Sequence, residues 1–526
     1  MTAGTVAPQA SGQETAPDAI TQLLRAEWTK FRSVRAWVTA MIVSVLVTVG
    51  LGVLIVSGSV CSVGPFPGHP KADACSAPLG PGGVAVTDSF YFVHQPLTGN
   101  GSITVRVTAL TGMVLNSGAP GLQPWSKAGI IVKAGVRPGS AYAAMLVTGG
   151  HGVRMQYDYT HDMAGPAGPV SAGSPRWLRL VRSGDTLTGF ASADGSRWTR
   201  VGAATLPGLP ATVQAGLFAT SPPVAQESRS GTTSSGTSGP TRVTAAFSHV
   251  SLTIAGHRAA AAHGWAGADV GAPAGPLAAG QAGAFHQAGG TFTVSGSGDI
   301  APSVSPQGVG TPISMTLIGA FAGLIAIIVV ATMFITAEYR RGLIRVTLAA
   351  SPRRGRVLAA KAIVIGSVTF VAGLASAAAA IPLGERVLRK HGNFIAPVPA
   401  LTELRVIVGT AMLLAVAAVL ALAVGTVLRR SAAAVTTVIA LIVLPYLLAA
   451  ASPALPAGPA DWLLRVTPAA AFAIESTSTR YPQVSNTYLP FFGYYPLGPW
   501  AGLAVLCGYA AAALALASVL LRRRDA

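Results

Sequence analysis

Six stretches of roughly twenty apolar residues, each nearly free of charge, limit what this chain can become more than any other feature. They run approximately from Ala36 to Ser57, Ser314 to Thr336, Leu358 to Leu383, Val406 to Leu428, Ala432 to Ala450 and Trp500 to Leu521. Each is long enough to cross a bilayer as a helix, the form in which a single segment satisfies its own backbone hydrogen bonds in hydrocarbon. Composition agrees: 51% of the 526 residues are hydrophobic, 10% are charged and the mean hydropathy is +0.54, which excludes a wholly soluble protein. The formal charge of +18 does not point to nucleic acid, because the basic residues gather at the ends of the apolar runs, where anionic lipid headgroups of the bilayer are the expected partner.

Those basic residues set an orientation. Between the second and third runs, Ala337 to Lys361 carries Arg340, Arg341, Arg345, Arg353, Arg354, Arg356 and Lys361 against one acid, Glu338, so this segment is expected on the cytoplasmic side. Arg32 and Arg35 before the first run, Arg429 and Arg430 after the fourth and Arg522 to Arg524 at the end agree, which places both termini inside and residues 59–312 outside. Arg386, Arg389 and Lys390 fall on the outer side and run against the rule, but the inner loops outnumber them. Glu338 to Ala350 contains no proline and spaces Leu343, Val346 and Ala350 as one face of a short helix, ended by a turn at Ser351-Pro352. Such a helix, pinned between two spans, would move both when gripped by a soluble partner.

Residues 1–17 are polar and expected to be disordered, and 18–58 form an amphipathic lead-in helix, with Ile20, Leu23, Leu24, Trp28 and Phe31 on its apolar face, followed by the first span. Its apolar run is too long for the core of a cleavable signal peptide, so it reads as an uncleaved anchor. After an outer linker, 59–83, the pattern changes to period two over 84–254. Ile103, Val105 and Val107 alternate with Thr104, Arg106 and Thr108, and further strands are expected at 128–134, 141–148, 153–159, 177–182, 187–191, 212–220 and 242–254. Turns at Ser183-Gly184-Asp185 and Asp194-Gly195 join them as hairpins, with Trp198 beneath the second. Many short strands without intervening helices imply an all-β sandwich or jelly roll. Within it, 221–241 reads as a mobile loop, and the Ala/Gly-rich stretch 255–312 as a mostly flexible linker with one strand-like patch at 291–294. The fold class is thus a multi-domain membrane protein: a bundle of about six spans, five of them in 313–526, plus a β-sandwich ectodomain after the first. The Pro- and aromatic-rich segment 451–499 reads as an interfacial belt.

Chemistry is mostly conspicuous by omission. The chain lacks GxxxxGK[ST] and HExxH, and no catalytic constellation declares itself, so it is expected not to be an enzyme and to hold no cofactor or metal. Asp158 and Asp162 are expected to be solvated rather than a glycosidase pair. Trp125, Trp177 and Trp198 are expected in the sandwich core rather than on a sugar-stacking platform. The spans hold almost no ionisable groups, which argues against an ion-coupled carrier. Cys507 reads as a packing residue within a span, while Cys61 and Cys75, both on the outer side, are candidates for one disulfide.

Two stretches carry a resemblance. EYRRGLIRVTLAASPRRGRVLAAK, together with LLRAEWTKFRSVRAW near the N-terminus, resembles the first cytoplasmic loop and lead-in helix of actinobacterial ABC-2 type transporter permeases, over about 19–58 and 314–524. PWSKAGIIVKAG, AYAAMLVTGGHGVRMQY and RWLRLVRSGDTLTGFASADGSRWTRVG resemble the concanavalin-A-like, laminin-G-like jelly roll of bacterial proteins in the DUF1349 group, over about 88–254. The first resemblance implies a permease subunit, mostly of exporters, that pairs as a homodimer or heterodimer and is powered by ATP bound on a separate ABC ATPase subunit. It implies that Glu338, Tyr339, Arg340, Arg341, Arg345, Arg353 and Arg354 couple to that ATPase, in a bacterial plasma membrane. The second implies a role in binding an envelope glycan or other ligand. The alternative is a membrane-anchored envelope glycan-binding or sensing protein without transport activity, for which a single anchor would suffice.

Overall fold

A computed structural model describes residues 16–59, 77–230, 233–254, 257–258, 264–271, 281–304, 312–344, 353–395, 397–450, 457–485 and 488–523. Cys61, Cys75 and Arg345 lie outside these residues, as does most of the expected helix after Gly342. The helices are α1 (Ala16–Ser33), α2 (Arg35–Ser57), α3 (Ala320–Arg340), α4 (Arg354–Lys390), α5 (Ala400–Leu428), α6 (Ser431–Ala450), α7 (Ala457–Val466) and α8 (Pro499–Arg523). Six of them, α2 to α6 and α8, are long and apolar enough to cross a membrane, consistent with a multi-pass membrane protein. At 37 residues, α4 is about 55 Å long, well beyond the hydrocarbon thickness, so Arg386 and Arg389 ride on an extension of the helix past the apolar layer.

Helix packing in the bundle relies on small residues. Gly319, just before α3, and Gly323 within it lie against Thr48 of α2, Gly52 lies against the Thr316 carbonyl, and Ser44 Oγ donates to the Gly323 carbonyl at 3.0 Å. With lipid as apolar as any side chain, such close backbone approach and hydroxyl bonding hold helices together. The segment expected as an interfacial belt instead turns inward. Pro468–Glu475 is a 3₁₀ helix buried along its whole length, with Ala470 against Gly502 of α8 and Ile474 against Gly409 of α5. Phe472 stacks on Phe321 with ring centroids 4.4 Å apart. Trp462 and Trp500 keep the exposed, belt-like position. Cys507 faces outward from α8 rather than into the packing, because that helix buries its other side.

Among the described residues between α2 and α3 lie the strands β1 (Val86–Asp88), β2 (Phe90–Thr98), β3 (Gly101–Val114), β4 (Lys127–Lys133), β5 (Tyr142–Thr148), β6 (Val153–Tyr157), β7 (His161–Ala164), β8 (Arg176–Ser183), β9 (Thr186–Ser192), β10 (Thr199–Thr205), β11 (Thr212–Thr220), β12 (Val224–Ser230), β13 (Thr233–Gly239), β14 (Thr241–Ile254), β15 (His257–Arg258), β16 (Ala266–Val270), β17 (Ala284–Ala288), β18 (Thr291–Gly296) and β19 (Ile300–Pro302). They form two large antiparallel sheets, in the orders β10-β9-β8-β3-β14-β18-β17, with β15 also on β14, and β16-β2-β11-β4-β5-β6-β7. The period-two residues Ile103, Val105 and Val107 of one sheet meet Ala128, Ile130 and Val132 of the other in a shared core.

Two expectations fail here. The stretch 255–312 is not a linker as a whole: β16 pairs β2, β18 pairs β14 and β19 pairs β1, so the sandwich extends to Pro302. Among its described residues Phe292 and Val294 alternate inward within β18, while β16 and β19 each add one large apolar side chain to the core, Val270 and Ile300, too few to show a local pattern. The stretch 221–241 is not an open loop either, for β12 and β13 pair as a two-stranded ribbon from Val224↔Gly239 to Ser230↔Thr233.

The far face of the second sheet is covered as well. β1 and β19 pair as a short ribbon that lays Val86 and Ile300 over Phe90, Phe92, Ile131, Tyr142 and Phe218. This explains why all of β4 is buried although only every second residue faces the main core. Lys127 and Lys133, at its two ends, are driven under the ribbon. Lys127 Nζ donates to Asp299 Oδ1 at 2.6 Å and to the Ile300 carbonyl at 2.7 Å. Lys133 Nζ donates to Asp88 Oδ2 at 2.7 Å, Tyr159 OH at 2.9 Å and the Ser140 carbonyl at 2.9 Å. Burial pulls the Lys133 pKa below the usual lysine value despite the opposing pull of Asp88. Burial, then Asp88, pushes the Tyr159 hydroxyl far above the ordinary tyrosine range.

The expected tryptophan core holds only for Trp125, which is buried and stacked on His151 with centroids 4.0 Å apart. Trp177 and Trp198 are half-buried on the outer face of the first sheet, because Leu178 and Leu180 take the inward positions of β8. It is Trp177, not Trp198, that lies beneath the Asp194-Gly195 turn: a Cβ on Gly195, whose φ is +80, would meet the Trp177 ring at 2.7 Å. Trp198 instead carries the Arg179 guanidinium 3.9 Å above its ring. Asp162 is not merely solvated, since Arg154 and Gln156 both donate to it.

Candidate functional site: a buried charge cluster joining three helices

At the end of the bundle away from the sandwich, α1, α3 and α4 converge on a cluster of four charged groups. The apolar side of α1 that carries Leu23, Leu24 and Phe31 packs on the bundle, and this turns Glu27 inward with them. Lys361, about two turns into α4, is fully buried and donates to Glu27 Oε2 and to Glu338 Oε1, each at 2.7 Å. Lys30 Nζ closes the set, 2.9 Å from Glu27 Oε1 and 3.2 Å from Glu338 Oε1. Two carboxylates and two ammonium groups balance, which is what a buried cluster requires. Burial pulls the Lys30 pKa down, but Glu27 and Glu338 outweigh it and leave it above the usual lysine value.

Aromatic rings pack around Lys361, while Lys30 closes the cluster on its part-exposed side. The Lys361 ammonium lies 4.9 Å from the Phe334 ring centroid, and Phe334 is met edge-on by Phe31 and Trp37 at 6.0 and 5.2 Å. In such surroundings each charge depends on its partners far more than on a surface, and moving α1 would expose or orphan them together.

The residues expected to couple to a partner divide into two sets. Glu338 is buried in the cluster, and Tyr339, half-buried, has the Arg429 guanidinium 5.1 Å from its ring centroid. Arg429 caps α5 in the left-handed region at φ +57. Arg354 donates to the carbonyl of Leu521, tying the start of α4 to the end of α8. Arg340, Arg341 and Arg353 are exposed. The expected helix from Glu338 onward is not continuous: α3 itself runs on to Arg340 and is broken at Gly342, whose φ is +68. Glu27 and Lys30 went unrecognised as site residues. Glu27 was the available signal, an acid in line with the apolar face of an otherwise amphipathic helix.

No protein-family profile matches the chain, and no curated protein does. Solved structures resemble parts of it. A functionally unknown protein from Saccharomyces cerevisiae is 20% identical over 32% of this chain and 76% of its own, at a TM-score of 0.22. Scytalido-glutamic peptidase bound to a transition-state analogue inhibitor is 9% identical over 40% and 98%, at 0.24. A GH43 protein from Bacillus licheniformis is 15% identical over 23% and 24%, at 0.17.

Proposed function

We propose that this chain is the permease subunit of an ABC-2 type transporter, an exporter driven by a separate ATPase subunit, with the charge cluster as the joint through which the ATPase moves the bundle. The observation that carries the reading is the position of Lys361: it holds α1, α3 and α4 together at the same end where Arg340, Arg341 and Arg353 are exposed. In this reading that end faces the cytoplasm, the termini with it, and the sandwich stands outside the plasma membrane of a bacterium. A partner that grips the exposed arginines would shift three helices as one body. The resemblance in sequence of this segment to ABC-2 permeases supports the same conclusion.

The test is purification of the tagged full-length chain from its own cells. An ATPase subunit is expected to accompany it, and charge reversal at Arg340 and Arg341 is expected to reduce that association or the stimulated ATP hydrolysis. A chain that inserts normally and retains no ATPase would favour a membrane-anchored envelope-binding protein instead.

A further inference from the structure

A second site lies at the opposite end of the bundle, where the sandwich meets it. The two parts touch directly there: Gln483 Nε2 donates to the Thr160 carbonyl at 3.2 Å, and Ala301 and Val304 pack with Val484 and Tyr494. Beside this contact is a chamber of about 760 Å³, bounded by Gly82–Ala85 and Ser303 at the root of the sandwich, by the start of α5, and by the segments 476–481 and 494–499. That volume is in the range of sites that take small organic molecules and exceeds what a simple ion fills.

Its lining has a definite chemistry. Two arginines, Arg405 and Arg480, contribute to it, and none of the described lining residues is acidic. Arg405 spends one terminal nitrogen on the Ser476 carbonyl, while its Nε is shielded from solvent without a partner in the protein. Arg480 makes a long, half-exposed contact to Asp461 at 3.5 Å and lies 5.5 Å from the centroid of the Tyr488 ring, which together engage few of its five donors. Tyr481, Tyr494 and Tyr495 are among the lining residues. Ser476 and Ser478 donate their hydroxyl protons to the Gly493 and Phe492 carbonyls, which leaves their oxygen lone pairs to accept from a ligand's hydroxyls. Guanidinium groups match phosphate and carboxylate oxygens, and tyrosine faces suit a sugar ring or similar body.

We propose that this chamber binds a phosphate- or carboxylate-bearing ligand of about sugar size, with the anionic group met by Arg405 and Arg480 and the body against the tyrosines. A sugar phosphate and a phospholipid headgroup share this chemistry. The proposal stands apart from the transport reading, because it needs neither an ATPase nor movement of the bundle.

The test uses the purified full-length chain in a neutral detergent, titrated with glucose 6-phosphate, glycerol 3-phosphate and glucose while binding and melting temperature are followed. The phosphates are expected to bind and raise the melting temperature, and glucose is not. Arg480→Gln and Arg405→Gln are each expected to weaken phosphate binding at least about tenfold, as loss of a charge-assisted contact would. Because Arg405 also holds the Ser476 carbonyl, Arg480→Gln decides the matter if Arg405→Gln fails to fold. Competition by phosphatidylglycerol in nanodiscs, against phosphatidylcholine alone, would assign the ligand to a headgroup, and its failure to compete would assign it to a free sugar phosphate. Absence of phosphate binding at millimolar concentration, equal binding of glucose, or unchanged affinity in a folded Arg480→Gln protein would overturn the proposal.

Discussion

Lys361 and Glu27 are 334 positions apart in sequence, and their charged atoms are 2.7 Å apart inside the bundle. Removing the lysine leaves Glu27 and Glu338 with the part-exposed Lys30 as their remaining counter-ion. Lys361→Met is therefore expected to destabilise the bundle by about 3–5 kcal/mol, with a shorter half-life at elevated temperature in detergent. Glu27→Gln combined with Lys361→Met is expected to cost less than the two single changes added together, since one orphaned charge disappears. Additive losses in the thermal unfolding of the four proteins would show that the pair is not coupled.

Gly323 offers a test of how closely α2 and α3 must approach. A side chain there would collide with Thr48 and displace the bond from Ser44 Oγ. Gly323→Leu is expected to cost about 1–3 kcal/mol and to raise the accessibility of a cysteine placed at position 48, measured by thiol labelling in membranes.

The extent of the sandwich is open to a truncation experiment. A fragment covering residues 77–304 is expected to fold alone with a cooperative melt followed by circular dichroism. The shorter fragment 84–254 lacks β15 to β19, which leaves β1, β2 and β14 with unpaired edges and uncovers Phe90 and Ile131. It is expected to melt at a lower temperature or to aggregate. Equal melting of the two fragments would assign β15 to β19 no part in the domain's stability.

A pH dependence follows from the turn at Asp194. Its carboxylate accepts the backbone N–H groups of Arg197 and Ser196, then the hydroxyl of Ser192, and these donors hold its pKa well below the usual carboxylate range. A depressed folded-state pKa contributes stability that is complete above the unfolded value of about 4 and is lost as the pH falls through the folded one. The fragment 77–304 is thus expected to lose stability on acidification to a greater extent than its Asp194→Ala variant, compared by denaturant titration at a series of pH values. Parallel curves would mean that the turn is not held by its charge.

The parts of this architecture that were legible in sequence share one property: a repeated local pattern. Twenty-residue apolar runs and alternating strands such as β3 and β8 declare themselves because each residue's environment follows from its neighbours in the chain. β16, β17 and β19 do not, since Gly- and Ala-rich strands acquire their pairing only from a sheet already assembled by others. The charge cluster was half legible. Glu338 stood out as the single acid in a basic segment, but nothing local to Lys361 distinguishes a buried lysine from a topology signal. Its burial is decided by α1, which lies more than three hundred residues away.

The short ribbon of β1 and β19 has a mechanical meaning. Val86 pairs with Pro302 and the Ser303 N–H donates to the Ala85 carbonyl, while on the α2 side the chain doubles back at residues 80–84, so that Leu79 bridges Ala85 and the Pro78 carbonyl accepts from the Val86 N–H. A pull arriving along either connection thus meets backbone bonds on both sides of β1 before it reaches the sandwich, and it is passed inward through the buried contacts of Asp88 to Lys133 and of Asp299 to Lys127.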